Sequence, residues 1–171
     1  TLVRSGLIDN VAAAGGILSS VTEVGNTGVR LSTSNAANHG NIGFNAIDLS
    51  YSNNASTTNG ATGSFSTAMG EDTRASGESS ITGGVNTIAS AYASTAMGDN
   101  SAASGAHSTA MGRSTTASGE NSTAMGQSTS ASGFSSTAMG GNTTAGGDNS
   151  TAMGRGSRAS DYASIAIGQY N

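Results

Sequence analysis

The sequence predicts an all-β solenoid, a parallel β-roll built from 14-residue repeats. Three observations predict it. All six methionines lie in the tetrapeptide TAMG, and Met69, Met97, Met111, Met125, Met139 and Met153 are spaced by 14 residues or twice that. A period held this strictly means that one small unit is stacked on itself many times, since no copy alone could bury a core. Within the unit the larger and smaller side chains alternate with period two, the pattern of a strand. An invariant Gly then follows each run, where the chain must turn or pass close to its neighbour.

The chain divides into three parts. In residues 1–42, Leu7, Val11, Ala14, Leu18 and Val21 resemble a short heptad seam. Gly15 and Gly16 interrupt it at about 1 kcal/mol each relative to Ala. Residues 24–33 read as two strands joined by a turn that Asn26 and Gly28 supply. β structure is therefore favoured here, as a separate module or as decayed coils. Residues 43–56 form a degenerate copy with Ile47 and Leu49 at its fifth and seventh positions, and residues 57–62 interrupt the phase.

Residues 63–171 hold eight copies, beginning at Gly63, Gly77, Ala91, Gly105, Gly119, Gly133, Gly147 and Asp161, the last truncated. Position four is always Ser and position eight always Gly. Position five is Thr or Ile, position six Ala except Thr82, and position seven Met except Gly83 and Ile167. Position eleven is Ser or Thr in every complete copy, and position thirteen is Ala. This length holds two strands of about five residues and two turns, whereas helical repeats need about 33 residues or more. Frequent Gly, Ser, Thr and Asn also disfavour helix interiors. Successive coils should stack about 4.8 Å apart.

Positions five, seven, eleven and thirteen are expected to point into the roll. Met69, Met97, Met111, Met125, Met139, Met153, Ile165 and Ile167 would then form the structural core ladder. The same ladders could instead face a neighbouring chain. One large apolar residue per coil is little against an ordering cost of roughly 1–2 kcal/mol per residue. An oligomer is therefore expected, with the Ser and Ala of positions four and six allowing close approach. Gly83, in place of Met, should mark a local irregularity.

Composition narrows the function. The formal charge is −4, with 6 Lys plus Arg against 10 Asp plus Glu, so no basic stripe exists for nucleic acid or anionic membrane. The chain has no Cys, no transmembrane run and no signal peptide. It reads as an excised fragment. No catalytic constellation is found, so neither an enzyme nor a cofactor is expected. His39 and His107 stand apart and read as solvated turn residues. No His, Cys or carboxylate cluster has metal-ligand spacing. Asp148 and Asp161 read as solvated turn residues, and Arg155-Gly156-Ser157 as an exposed turn.

Recognition should lie at the variable positions. Aromatic residues recur at the second and third, and Arg at the ninth. Phe65, Tyr92, Phe134, Tyr162, Arg113 and Arg155 are therefore the candidate ligand or interchain surface.

Residues 119–132, GENSTAMGQSTSAS, and 161–171, DYASIAIGQYN, resemble the repeat of the YadA-like heads of trimeric autotransporter adhesins. The shared residues are Ser164, Ile165, Ala166, Ile167 and Gly168, and Ser122, Ala124, Gly126 and Thr129, with Thr for Val and Met for Ile in most copies. The resemblance implies a left-handed parallel β-roll assembled as a parallel homotrimer. It also implies display at the surface of a Gram-negative bacterium, on a stalk anchored in the outer membrane by a C-terminal β-barrel. The implied function is attachment to host matrix proteins such as collagen, fibronectin or laminin, to host cells, or between bacteria. The alternative is a passive spacer that presents another adhesive module.

Overall fold

A computed structural model describes residues 17–170. They form a β-solenoid with two parallel sheets, preceded by a hairpin. Strands β1 (Leu18–Glu23) and β2 (Asn26–Leu31) pair antiparallel. They turn through Val24 and Gly25, whose φ angles are 50° and 84°. Paired positive φ values suit a two-residue hairpin turn. The turn thus lies ahead of Asn26 and Gly28, which are strand residues. Leu18 and Val21 belong to β1, so the heptad seam does not extend through them, and Leu7, Val11, Ala14, Gly15 and Gly16 lie outside the described residues.

Strand β2 runs parallel to β3 (Ile47–Tyr51), the long strand of the degenerate coil. From there each regular coil follows one plan. A long strand covers positions five to nine, as in Thr109–Arg113. A short strand covers positions twelve and thirteen, as in Thr116–Ala117. The long strands stack into one sheet of 11 strands with the hairpin at its edge, and the short strands into a second sheet of 8. Like pairs with like throughout, so that Met111 lies between Met97 and Met125. The degenerate coil keeps this register, with Leu49 opposite Met69. Its extra residues lie between Tyr51 and the short strand Gly60–Ala61.

The interior differs from expectation at two of four positions. Thr73, Ala75 and their equivalents at positions eleven and thirteen are buried, as expected. In the long strand, however, Ser66 and Ala68 are inside at 0% exposure, while Met69 is 40% exposed and Thr67 half-buried on the outer face. The remaining TAMG methionines are half-buried on that face, and Ile165 and Ile167 are exposed. The methionine and isoleucine ladder is therefore in register but is not the interior of the chain. The cause is spacing. A coil this short brings its two sheets close enough for Ala, Ser and Thr to fill the gap, and a Met side chain pointing inward would have no room. The Ser and Ala of positions four and six are sealed inside and offer no surface to a second chain.

Hydrogen bonds supply what the small core lacks. Backbone amides reach carbonyls one coil away at the turns, as Thr109 N to Ser122 O at 2.9 Å. In some coils a buried hydroxyl also closes the turn, with Ser66 Oγ donating to Gly63 O at 2.7 Å and Ser80 Oγ to Gly77 O at 2.7 Å. Gly83 causes no irregularity. Its strand Ile81–Val85 pairs on both sides in unbroken register. Position seven points outward, so the missing side chain leaves a surface dent rather than a gap in the interior.

A buried polar cluster closes the N-terminal end. Asp48 occupies position six, where other coils carry Ala or Thr, and is 0% exposed. Arg30 on β2 donates through Nε to Asp48 Oδ2 at 3.2 Å and through Nη1 to Glu23 Oε1 at 2.8 Å. Its Nη2 reaches Gly40 O at 2.9 Å. His39 Nδ1 lies 3.1 Å from Asp48 Oδ2, so His39 is a buried member of this cluster and not a solvated turn residue. Burial pushes the Asp48 carboxyl up, but the adjacent His39 ring and hydrogen bonds from the Ser50 amide and hydroxyl outweigh it, and its pKa lies below the ordinary 3.8. A carboxyl with a lowered folded-state pKa stabilises the fold above its ordinary value and loses that contribution as pH falls through the lower one. Amide exchange in β1 and β2 should therefore stay slow down to about pH 4 and accelerate below it. Arg30→Met should cost about 1–3 kcal/mol in thermal or urea unfolding, because it takes the guanidinium from the buried Asp48 carboxylate and leaves it only Ser50 and His39. The double variant Arg30→Met with Asp48→Ala should recover most of that loss. A double variant no more stable than the single one would show that the cluster does not act as a unit.

Candidate functional site

The candidate residues fall on three separate surfaces of the roll. The first is the outer face of the long sheet. Thr95, Thr109, Thr123, Thr137 and Thr151 form one column there, beside the column of Met97, Met111, Met125, Met139 and Met153. Both columns are half-buried by their own neighbours along the stack. The face continues into Ile47, 43% exposed, and Ile81, 38% exposed. Its outward positions five and seven carry no charge, and the methionine column gives it an apolar stripe of a kind monomers seldom leave open to water.

The second surface is the corner ahead of each long strand, at positions two and three. The third position is held in the left-handed region, with φ of 57° at Phe65, 52° at Ala93 and 56° at His107. This geometry lifts the corner side chains off the sheet. Phe65, Tyr92 and Phe134 are each about half exposed and Tyr162 is 76% exposed. Phe65 meets Phe44 edge to face with centroids 5.6 Å apart, and Tyr92 meets His107 in the same way at 5.2 Å. Asp148 accepts a hydrogen bond from Phe134 N at 2.8 Å, which ties this corner to the next coil.

The third surface is the opposite corner, at the end of the long strand. Arg113 and Arg155 are exposed there, and the Arg155 guanidinium sits over the Tyr170 ring, 5.7 Å from its centroid. A whole strand, roughly 15 Å of extended chain, separates these arginines from the aromatic corner. The structure therefore groups Tyr92 with His107 and Arg155 with Tyr170, but it does not combine the aromatic residues and the arginines into one site. Ser157 departs from an exposed turn, being buried with its Oγ donating to Met153 O at 3.0 Å. Among the described residues no group of three or more His, Cys, Asp or Glu could hold a metal ion, and no helix is long and apolar enough to cross a membrane.

The sheet register, the invariant Gly and the outward Thr and Met columns define the repeat as a structural type. The family model for the YadA head domain repeat (2 copies) matches residues 61–81, 84–101, 103–129, 131–157 and 145–171. The chain belongs to the YadA head-repeat family. No curated protein matches it. As a YadA-type head, it belongs to a structural, non-enzymatic family. Membership suggests adhesin-type function and display at a bacterial surface. The matched residues begin just after the polar loop 52–59 and leave the hairpin and its buried cluster outside the repeat. Sequence reasoning missed that cluster. Its one local signal was Asp48, a charge in the column otherwise occupied by Ala and Thr.

Proposed function

We propose that this chain is the head of a trimeric autotransporter adhesin, a parallel homotrimer of left-handed rolls. In this reading it attaches a Gram-negative bacterium to host matrix or cells, or to other bacteria. The observation that carries the proposal is the uncharged outer face, with Thr or Ile at position five and Met or Ile at position seven in every regular coil but for Gly83, turned away from the chain's own interior. Packing three such faces about one axis would remove the methionines from water and leave both corners of each coil outside. The aromatic corner then repeats along three chains, and weak contacts at each coil add up through multivalency.

The reading predicts three chains per particle by light scattering behind size exclusion. Beads coated with the chain should bind immobilised collagen, fibronectin or laminin. Replacing the rings together, as Tyr92→Ala, Phe134→Ala and Tyr162→Ala, should lower bead attachment roughly tenfold with the melting temperature nearly unchanged, because these side chains lie outside the core. Undiminished attachment by the triple variant would clear the aromatic corner of the role. A trimer that binds no matrix protein, cell or second bacterium would leave the head as a spacer.

A further inference from the structure

We propose that the groove beside the 52–59 loop is a binding site for a neutral oligosaccharide. The loop is the one place in the described coils where the regular turn is enlarged. A standard turn has two residues between its strands, as Ser114 and Thr115, whereas here eight residues, 52 to 59, separate β3 from its short strand. The loop is pinned to the next coil. Asp72 Oδ1 accepts from Ser52 Oγ at 2.5 Å and from Asn59 Nδ2 at 3.2 Å, and Ser56 Oγ accepts from the amides of Thr58 and Asn59 at 3.1 Å. It shapes a groove of about 560 Å³ lined by Asn59, Asp72, Arg74, Asn86, Ile88 and Asn100.

Two groups in the groove have unused capacity. The Nε–H of Arg74 is buried and has no hydrogen-bond partner. Arg158, at the same position of a later coil, satisfies its own Nε by donating to Ser160 Oγ at 2.9 Å. Ser76 stands in the same relation to Arg74 and is not used. Buried donors rarely stay unpaired, and a ligand oxygen would satisfy this one. Asp72 holds the loop through Oδ1 alone, which leaves Oδ2 free to accept.

The donor set points to hydroxyl groups. A guanidinium, a carboxylate oxygen, the side-chain carbonyl of Asn59 and the amides of Asn86 and Asn100 offer both donors and acceptors, and sugar hydroxyls both donate and accept. The carboxylate opposes an anionic ligand. Ile88 offers the single sizeable apolar patch, enough for the C–H face of one ring but not for a set of peptide side chains. Asp72, Asn86 and Asn100 are also the tenth residues of three successive coils, with φ of 50°, 51° and 53°. They stand about 4.8 Å apart along the stack, close to the span of one pyranose ring, so a linear chain of sugars can run along the roll axis. A pinned loop and a fixed ladder lose little freedom on binding.

The groove is built from one chain, so this proposal does not depend on trimer formation or on host attachment. The test is NMR titration of the intact chain with maltotetraose, cellotetraose and chitotetraose, with 3′-sialyllactose and a collagen peptide as the acidic and peptide alternatives. At least one neutral tetrasaccharide should bind at millimolar concentration or below and shift the amides of Asn86 and Asn100. Arg74→Met and Asn86→Ser, the residue that Ser114 and Ser128 supply at this position, should each weaken that binding roughly tenfold with the melting temperature nearly unchanged, and Ser128→Ala, a tenth-position residue outside the groove, should leave binding unaltered. No shift with any neutral tetrasaccharide, or a shift with only the acidic sugar or the peptide, overturns the proposal. Loss of binding that the Ser128→Ala variant shares would overturn it as well.

Discussion

Gly112→Ala is expected to destabilise the roll by about 2–5 kcal/mol, although it adds a single methyl group. Gly112 has φ of 136°, a conformation that side-chain-bearing L residues rarely adopt. A Cβ there would also collide with the carbonyl oxygen of Gly126 in the following coil. Neither partner can give way easily, because the strands Thr109–Arg113 and Thr123–Gln127 are paired residue by residue. Relaxation would have to open that pairing, and coils on each side depend on it for their burial. The comparison variant is Gly146→Ser. Its Cβ would meet nothing nearer than 3.9 Å, and Ser is what other copies carry at position fourteen. Urea unfolding should show Gly112→Ala far less stable and Gly146→Ser within about 0.5 kcal/mol of the parent chain. Equal stability for all three would mean that the close approach at position eight does not constrain the stack.

The same residue explains why the fold was legible. A fixed Gly in each copy, period-two alternation before it and a strict repeat already require stacked strands with one shared close approach. The direction of the strand was not legible. Alternation separates two faces but does not say which one is inside. The usual rule puts Met inside and Ser outside, and here geometry overrules it, because only a short side chain fits between the sheets. The invariant Ala at position thirteen held the missing clue. It faces into the roll, and across a narrow gap its counterpart must also be small, which selects Ala68, Ala110 and Ala124 over the methionines. The hairpin cluster was illegible for another reason. Arg30, His39 and Asp48 come together only through the antiparallel pairing of β1 with β2 and the brief parallel contact of β2 with β3. No period links them in sequence. The candidate surface was partly legible. The aromatic corner repeats in phase with the coil, so its residues were found, but their separation from Arg113 and Arg155 follows from where the long strand ends.

If the proposed trimer packs through its Thr and Met face, Met111→Glu combined with Met125→Glu is expected to convert it into single chains that keep their β-sheet circular dichroism. Both residues point away from the interior, so the stack has no steric reason to unfold. Covering a half-buried Met contributes about 1 kcal/mol, roughly half the value of full burial. The six methionines of each chain must together offset the 4–15 kcal/mol or more lost on association. Replacing two of them removes part of that gain, and it would bury carboxylates from three chains around one axis with no Lys or Arg among positions five to eight to pair with them. A glutamate pair at Gln127 and Gly141, on the strand-end corner, should leave the mass unchanged. If the methionine variant retains the parent particle mass at neutral pH, the Thr and Met face is not the contact between chains. If it unfolds, the face stabilises the single roll more than its exposure indicates. Recovery of the particle near pH 4, where glutamates begin to take up protons, would place the repulsion on the face itself.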